Sequence, residues 1–133
     1  MTDEELKTAY RVERLSGKLA RLSFLKAVTG ADDDFRLAQL IDADLRKIMS
    51  DFPGMVFDVL IIMSALGSDN RITTRARRIY AKLISEPQCG RLALVGSNIF
   101  FKTMINFIVR AANASDRMKM FNNEAEAIVW LKK

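Results

Sequence analysis

The spacing of hydrophobic side chains changes several times along the chain, and each change marks a predicted element. Residues 10–15 and 19–29 alternate between apolar and polar positions, with a turn signal at Gly17 between them. This alternation predicts two strands that form a hairpin. A helix with leucines from Leu15 to Leu25 fits part of the same stretch. Because Gly17 and Gly30 bracket the second segment, we favour the strand.

A helical period follows this hairpin. Three consecutive aspartates, residues 32–34, suit the N-cap and first turn of a helix, where the helix dipole is positive. An apolar stripe then continues with helical spacing to the break at Pro53-Gly54. The next segment, residues 56–66, is apolar almost throughout, which predicts a central strand covered on both faces.

Helices and strands continue to alternate in the second half. A stripe from Ile72 to Leu83 predicts a helix, and residues 92–95 predict a short buried strand. Residues 99–112 predict a long helix, and residues 118–121 predict a last strand. Asn123, with a glutamate three positions later, predicts the cap of a final helix.

The predicted order is therefore β-β-α-β-α-β-α-β-α, which is typical of an α/β fold. We expect a single mixed, mostly parallel five-stranded sheet with an N-terminal antiparallel hairpin and about four helices. No linker divides the 133 residues, so residues 1–133 are predicted to form one domain. The polar residues 1–9 are expected to be flexible.

Composition removes several classes of function. The chain has no histidine and one cysteine, Cys89, so Ser-His-Asp catalysis, histidine metal sites and an internal disulfide are all excluded. We predict no metal and no cofactor. The acidic start differs from the basic start of a signal peptide, and the longest apolar run is too short to span a bilayer. A cytoplasmic location is the simplest interpretation.

Several motifs in the second half resemble the STAS-like superfamily (sulphate transporter and anti-sigma-factor antagonist type). The resemblance is closest to the small bacterial stand-alone branch related to the sporulation antagonist. The segments that carry it are Asp58–Leu66, Arg75–Arg78, Arg91–Ser97, Ile105–Phe107, Phe121–Ala127 and Trp130-Leu131. The resemblance implies a regulatory or ligand-binding domain and not an established catalyst. Some relatives are described as lipid-binding.

Antagonists of this superfamily are phosphorylated on a serine at the start of the helix after the third strand. The equivalent stretch here is residues 68–74, which has no Ser-Ser-Gly. The resemblance therefore implies Thr73 or Thr74 as the candidate phospho-acceptor, and the departure from the motif weakens that assignment.

Positive charge is concentrated in one part of the chain. Residues 71–91 contain six basic residues and one acid, whereas the rest of the chain has fifteen of each. Four of the basic residues form one stripe on the second predicted helix: Arg71, Arg75, Arg78 and Lys82. The stripe is either an ordinary solvated face or a site for an anionic partner, such as a phosphorylated segment, an acidic protein or a lipid headgroup. Nucleic acid is the least favoured partner because no RNA- or DNA-binding motif accompanies the charge.

Two predicted helices start at the same sheet edge if their preceding strands are parallel. The loops at 67–74 and 96–98 would then lie together at the carboxyl ends of those strands, where α/β sheets bind ligands. Free backbone N–H groups at such helix starts favour an anion. Ser97 and Asn98 are candidate binding residues there, although capping alone also explains them.

The predicted long helix has more apolar surface than one sheet can cover. The candidates on its two apolar faces are Phe100, Phe101, Met104, Ile105 and Ile108. A helix on a sheet needs an apolar arc of only a little over 100°. The excess surface is covered within the monomer, forms a homodimer contact, or lines an apolar pocket.

From these observations we expect a non-enzymatic regulatory or ligand-binding domain. Its partner would be a protein or a small anionic or apolar ligand, and a homodimer is expected. One alternative is a membrane-peripheral lipid-binding domain on an anionic surface. The other is an enzyme with its site at the carboxyl edge of the strands. Asp58 is expected at an exposed strand start and Cys89 in a loop beside Arg91, neither with a catalytic partner.

Overall fold

The computed structural model describes residues 1–66, 72–96, 105–106 and 108–133. These residues form a five-stranded sheet with the strands in chain order. The first pair is antiparallel and each later pair is parallel. The predicted α/β class and hairpin are therefore confirmed. The strands are β1 (Tyr10–Ser16), β2 (Leu19–Phe24), β3 (Phe57–Ile62), β4 (Cys89–Val95) and β5 (Met118–Phe121).

Helices occupy the connections between the parallel strands. The described helices are α1 (Asp3–Leu6), α2 (Ala31–Asp51), α3 (Thr74–Ile84) and a C-terminal helix (Glu124–Leu131). Residues 105, 106 and 108–111 are also helical, and a 3-10 turn follows at Ser115–Arg117. The three α-helices that begin with a side-chain cap use Thr2, Thr73 and Asn123. The Asn123 cap was predicted, and its side chain accepts the N–H of Glu126 at 2.9 Å.

The helices divide unequally between the two faces of the sheet. Alternate strand residues such as Leu22, Val59 and Leu92 share one core with α2, α3 and the described residues Ile105, Ile108, Val109 and Ala112. We call this side the α2–α3 face. The intervening residues, including Leu60 and Ala93, pack against the C-terminal helix. We call that side the C-terminal helix face.

The first nine residues, to which the sequence assigned no element, contain α1. Thr2 and Glu5 form a complete capping box, in which each side chain bonds the backbone N–H of the other residue. Leu6 and Ala9 are fully buried in the core. The sequence pattern did not predict the burial of these two residues, because their neighbours along the chain are polar.

Two strands are shorter than the apolar segments that predicted them, residues 19–29 and 56–66. β2 ends at Phe24 because the N–H groups of Leu25 and Lys26 both turn to the carbonyl oxygen of Ala9. β3 ends at Ile62, and Leu66 closes a turn onto the carbonyl of Met63. The apolar residues beyond each strand therefore belong to loops that pack on the core.

Asp58 and Cys89 lie in positions that differ from those expected. Asp58 is only 6% exposed, and its Oδ1 accepts the backbone N–H of Arg91 at 2.8 Å. The carboxylate fits because Gly90 has no side chain, since a Cβ there would lie 2.6 Å from the same oxygen. Cys89 is the first residue of β4 and is buried. The expectations of an exposed aspartate and a loop cysteine were wrong.

Candidate functional site

An apolar cavity of about 70 Å³ lies between the sheet and the helices of the α2–α3 face. The sheet contributes Ala20, Leu22 and Val59 to its wall, and α2 and α3 contribute Leu45 and Leu83. Close-packed protein cores hold few voids larger than a water molecule. The cavity is therefore an unusual feature of an otherwise buried core.

A second, smaller cavity of about 20 Å³ adjoins the first. Phe24, Ile72 and Tyr80 contribute to the walls of both. The smaller one also has a polar lining, because Asp34 and Lys26 contribute to it. The two cavities are therefore neighbours, and the smaller one has a polar side.

Asp34 is a buried carboxylate at this polar end. It lies in the first turn of α2, is 6% exposed, and its Oδ2 accepts the backbone N–H of Thr73 at 2.9 Å. Burial raises the pKa of Asp34, and the hydrogen bonding of Thr73 opposes that shift. The residue joins the start of α2 to the cap of α3.

Tyr80 is the second buried polar group. Its residue is 8% exposed, and burial together with the carboxylate of Asp34 raises the pKa of the phenol above its usual value. The phenol therefore stays protonated at physiological pH and acts as a hydrogen-bond donor.

A second tyrosine on the same face, Tyr10, forms a direct hydrogen bond with an aspartate of α2. The hydroxyl of Tyr10 donates to Oδ2 of Asp44, an α2 residue, at 2.6 Å. Burial and this hydrogen bond raise the pKa of Tyr10. Tyr10 and Asp44 thus satisfy each other directly, whereas Tyr80 and Asp34 are not bonded to each other and line a cavity.

Comparison with known proteins gives a family for the chain. A family described as a domain of unknown function, DUF7793, matches residues 56–133, which is more than half of the chain. The chain belongs to the DUF7793 family. Among curated proteins, none matches it significantly.

A solved structure shows the fold of this DUF7793 protein. An uncharacterized protein of the DUF3478 family with a SpoIIAA-like fold, from Shewanella loihica PV-4, is similar with a TM-score of 0.60. The sequences are 17% identical, and the similarity covers 92% of each chain. At this identity the likeness shows the fold alone, and this fold agrees with the α/β fold expected from the sequence.

The basic stripe of the DUF7793 chain is only partly free for a partner. The guanidinium of Arg75 lies 3.7 Å from the ring centroid of Phe35 and 3.8 Å from Asp32, so α2 already holds it. Arg78 and Lys82 are exposed on α3. The fourth member of the stripe, Arg71, lies outside the described residues.

The two candidate phospho-acceptors have different surroundings. The hydroxyl of Thr73 accepts the N–H of Ala76 as the cap of α3, and its backbone N–H bonds Asp34. Thr74 is exposed, and its hydroxyl accepts a hydrogen bond from Arg77 at 3.0 Å. A phosphate at Thr73 would lie beside the Asp34 carboxylate, so the local electrostatics favour Thr74.

The predicted anion site is described only in part. β3 and β4 are parallel neighbours, so the loops that follow them leave the same sheet edge as expected, with the N–H of Met63 bonded to the carbonyl of Val95. Ser97 and Asn98 lie outside the described residues. An anion at this edge stays a prediction.

The described part of the predicted long helix faces inward. Ile105 and Ile108 are buried, and both line the apolar cavity. Val109 and Ala112 are also buried in this core, while Arg110 is exposed. Phe100, Phe101 and Met104 lie outside the described residues. A homodimer contact through this helix stays a prediction.

Other chemistry finds little support in the described residues. Burial raises the pKa of the Cys89 thiol despite the opposing influence of Arg117, so the cysteine stays protonated. Across the described ranges, no group of three or more histidine, cysteine or acidic residues is placed to hold a metal ion. No helix in those ranges is long and apolar enough to cross a membrane.

Sequence reasoning missed Asp34 and Tyr80 as site residues. It assigned Asp34 to the helix dipole and Tyr80 to the core. One signal was available, because Asp34 precedes Leu37, Ile41 and Leu45 at helical spacing and so falls on the buried stripe of α2. A carboxylate on the apolar stripe of a helix indicates a buried polar group.

Proposed function

We propose that this DUF7793 protein is a non-enzymatic, ligand-binding regulatory domain that holds a small apolar ligand between the sheet and α2 and α3. The observation that carries the proposal is the apolar cavity of about 70 Å³. The STAS-like fold supports it because the sequence resemblance implies regulation or ligand binding for that superfamily.

The packing cost of the cavity supports a functional role. At about 24 cal/mol per Å³, a void of about 70 Å³ costs the fold roughly 1.5–2 kcal/mol. This is a large fraction of the total stability of a small domain, which is about 5–15 kcal/mol. An apolar ligand that filled the space would restore the lost van der Waals contacts.

The cavity volume limits the size of the ligand. An engineered cavity of about 150 Å³ in a well-studied lysozyme variant binds benzene and xenon. The cavity here has about half that volume. The space therefore suits a short alkyl group, either as a whole small molecule or as the end of a longer one.

A bound ligand would affect the protein surface through the position of α3. The inner side of α3 contributes Tyr80 and Leu83 to the cavity wall, and its outer side carries the exposed Arg78 and Lys82. A ligand that shifts α3 would therefore shift the cations that an acidic protein partner would contact. This arrangement couples ligand binding to partner binding.

The polar groups near the cavity are poorly suited to catalysis. A general acid or base works best with a pKa near the working pH, but burial moves the pKa of Tyr80 further above that range. Within the described residues, no second carboxylate accompanies Asp34 at the cavity. Asp34 and Tyr80 are therefore better suited to binding than to proton transfer.

Xenon provides a direct test because it binds apolar cavities without polar contacts. We expect xenon to shift the methyl NMR signals of Leu22, Val59 and Leu83 in the wild-type protein. The cavity-filling variant Ala20→Leu should abolish these shifts. Ala125→Leu, at an exposed position of the C-terminal helix, is the matched control and should leave them unchanged.

Two results would contradict the proposal. Absence of any xenon-induced shift at the lining methyl groups would show that the cavity is not available to ligands. Salt-sensitive binding to anionic vesicles in the absence of xenon binding would instead support the membrane-peripheral function. Native mass spectrometry of the purified protein adds a second measurement, since a retained apolar molecule should be visible as an added mass.

A further inference from the structure

We infer that the outer surface of the C-terminal helix is a contact between two copies of this chain, which pack antiparallel about a two-fold axis near Val129. The helix lies on the opposite side of the sheet from the apolar cavity, so the contact is independent of ligand binding. The surface has an exposed apolar centre, with acidic and basic side chains at opposite ends.

The C-terminal helix has apolar side chains on more of its circumference than the sheet covers. Ala127 and Leu131 are buried, while Ile128 and Trp130 are half-buried. Val129 is 59% exposed, the highest value for a large hydrophobic residue in the described part of the chain. A single exposed hydrophobic residue is ordinary, but this one adjoins two half-buried apolar neighbours. Such a cluster is typical of a contact surface.

The charged residues of this surface are arranged symmetrically about Val129. Glu126 comes three positions before it, and Lys132 and Lys133 come three and four positions after it. All three charged residues are exposed. The backbone N–H groups of the two lysines bond carbonyl oxygens of the helix, so the chain continues its last turn. The seven positions from Glu126 to Lys133 make nearly two turns, which places both residues on the same side of the helix.

This arrangement is complementary to itself. In an antiparallel pair centred on Val129, each residue before the centre in one copy faces a residue after the centre in the other. Glu126 of each copy then lies beside Lys133 of the second copy, and the pair occurs twice because a two-fold interface is isologous. A parallel pair would bring the lysines of both copies together, which is unfavourable. The charges therefore favour the antiparallel arrangement.

The charged side chains of this surface are available for a partner. Within the described ranges, neither the glutamate at position 126 nor the two lysines form an ion pair or a side-chain hydrogen bond. By contrast, Glu124 in the same helix pairs with Arg21 at 2.9 Å. Arg91 donates to the carbonyl oxygen of Leu131 at 2.8 Å. These two contacts hold the helix on the sheet, so association does not need to order it.

A second copy fits this surface better than other partners do. A strongly acidic protein or an anionic membrane would be repelled by Glu126 at one end, and a strongly basic partner would be repelled by the lysines at the other. A second copy in the antiparallel arrangement presents the same charges in reverse order. The long helix is a weaker candidate, because Ile105 and Ile108, its two described candidates for a dimer contact, are buried at the cavity.

Sedimentation velocity at increasing protein concentration tests the contact. Because two short helices bury little area, we expect a weak dimer with a Kd of about 0.1 mM. Val129→Glu should leave the protein monomeric at concentrations well above this value, because it places two carboxylates together at the axis. Leu25→Glu is the matched control, at a residue that is 50% exposed outside this helix, and it should dimerise as the wild type does.

An exchange of charges distinguishes the antiparallel pair from other contacts. Glu126→Lys and Lys133→Glu should each weaken the dimer about tenfold, because each variant replaces two attractions with two repulsions. An equal mixture of the two variants should recover association. In the mixed dimer, positions 126 and 133 are lysines in one copy and glutamates in the other, so both pairs form again.

Three results would overturn the inference. The wild type could remain monomeric well above about 0.1 mM, the expected Kd. Val129→Glu could dimerise unchanged, which would place the contact elsewhere. The mixture of charge variants could associate no better than either variant alone, which would exclude the antiparallel pair.

A measurement on the wild type covers the case in which a variant does not fold. The methyl NMR signals of Val129 should shift on dilution as the dimer dissociates, while those of Leu83 in the cavity wall should stay unchanged. Shifts at Leu83 without shifts at Val129 would place the contact on the other side of the sheet and overturn the inference. The xenon experiment remains a separate test of the cavity.

Discussion

The two faces of the sheet are packed in different ways. On the C-terminal helix face, Leu60 and Ala93 of the sheet meet Ala127 and Leu131 of the helix, and these side chains are almost completely buried. On the α2–α3 face, a larger core surrounds a cavity of about 70 Å³. The C-terminal helix has only eight residues, whereas α2 has 21 and α3 has 11, yet the cavity lies on the face with the longer helices.

Polar contacts also fix both ends of the C-terminal helix. Arg21 pairs with Glu124 in its first turn at 2.9 Å, and Arg91 donates to the carbonyl oxygen of Leu131 at 2.8 Å. Arg91 also lies 5.0 Å from the ring centroid of Trp130. The two faces therefore differ in how completely their side chains are packed.

The largest effect is expected from truncation on the tightly packed face. Leu60→Ala should lower the free energy of unfolding by about 3–5 kcal/mol, because it removes a fully buried side chain from a site with no room to adjust. Leu45→Ala, beside the cavity, should cost about 2 kcal/mol, because Leu45 already lacks neighbours on one side. Urea unfolding measures both free-energy losses. Equal losses would show that the two faces are packed equally well.

Enlarging two buried alanines should give effects of opposite sign. Ala93→Val on the C-terminal helix face should lower the free energy of unfolding by about 1–3 kcal/mol through overpacking. Ala20→Val extends into the cavity and should raise it by up to about 1 kcal/mol. Thermal unfolding of the two variants measures the sign of both changes. Destabilisation by both would mean that the cavity cannot accept the two additional carbons of valine at position 20.

The buried carboxylate gives a pH-dependent prediction. Because burial raises the pKa of Asp34 above its ordinary value of 3.8, ionisation of this group opposes folding. Its favourable contribution is complete below pH 3.8 and is lost as the pH rises through the folded-state pKa. The stability of Asp34→Asn relative to wild type should therefore increase as the pH rises from about 3.8 to neutral.

An exposed aspartate offers the matched control for this pH series. The pKa of Asp3 is lowered, chiefly by its hydrogen bond with Arg36. Its contribution is present above its ordinary pKa and is lost on acidification, so Asp3→Asn should show the opposite trend. Denaturant unfolding from pH 3 to 7 gives both slopes, and a flat difference for Asp34→Asn would contradict the burial argument.

The smallest effects are expected on the outer surface of the α2–α3 face. Arg75→Glu should cost about 0.5–1.5 kcal/mol because it removes the stacking on Phe35 and the exposed pair with Asp32. Arg78→Glu should change the free energy of unfolding by less than about 0.5 kcal/mol, since this side chain is exposed. If the two variants lose equal stability, Arg75 does not help to hold α3 against α2.

The order of the elements could be predicted because it depends on local patterns. The apolar stripe of α2 and the Asn123 cap have direct physical causes within a few residues. Strand ends were less predictable. β2 ends where two backbone N–H groups bond to the carbonyl oxygen of the distant residue Ala9, and β3 is followed by a turn that Leu66 closes onto Met63. The sequence between two turns does not reveal which apolar residues stay in the sheet.

The candidate site depended on contacts that the sequence pattern does not contain. A cavity results from the combined shapes of side chains on β2, β3, α2 and α3, and no residue type marks it. Burial of Asp58 likewise depends on Gly90, which is its neighbour only across the sheet. The periodicity of the sequence was therefore enough to predict the fold. The burial of polar groups such as Asp58 could not be predicted, because it depends on residues that are neighbours only in the folded structure.

The two outer strands, β1 and β5, restrict how this protein can self-associate. An open sheet edge invites another chain to add a strand, which is a common start of aggregation. β5 is only four residues long and carries Lys119, and β1 carries Arg11, Glu13 and Arg14. Short length and charge both discourage strand addition. Any homodimer is therefore expected to use a helical surface, which leaves the sheet edges as barriers against fibril growth.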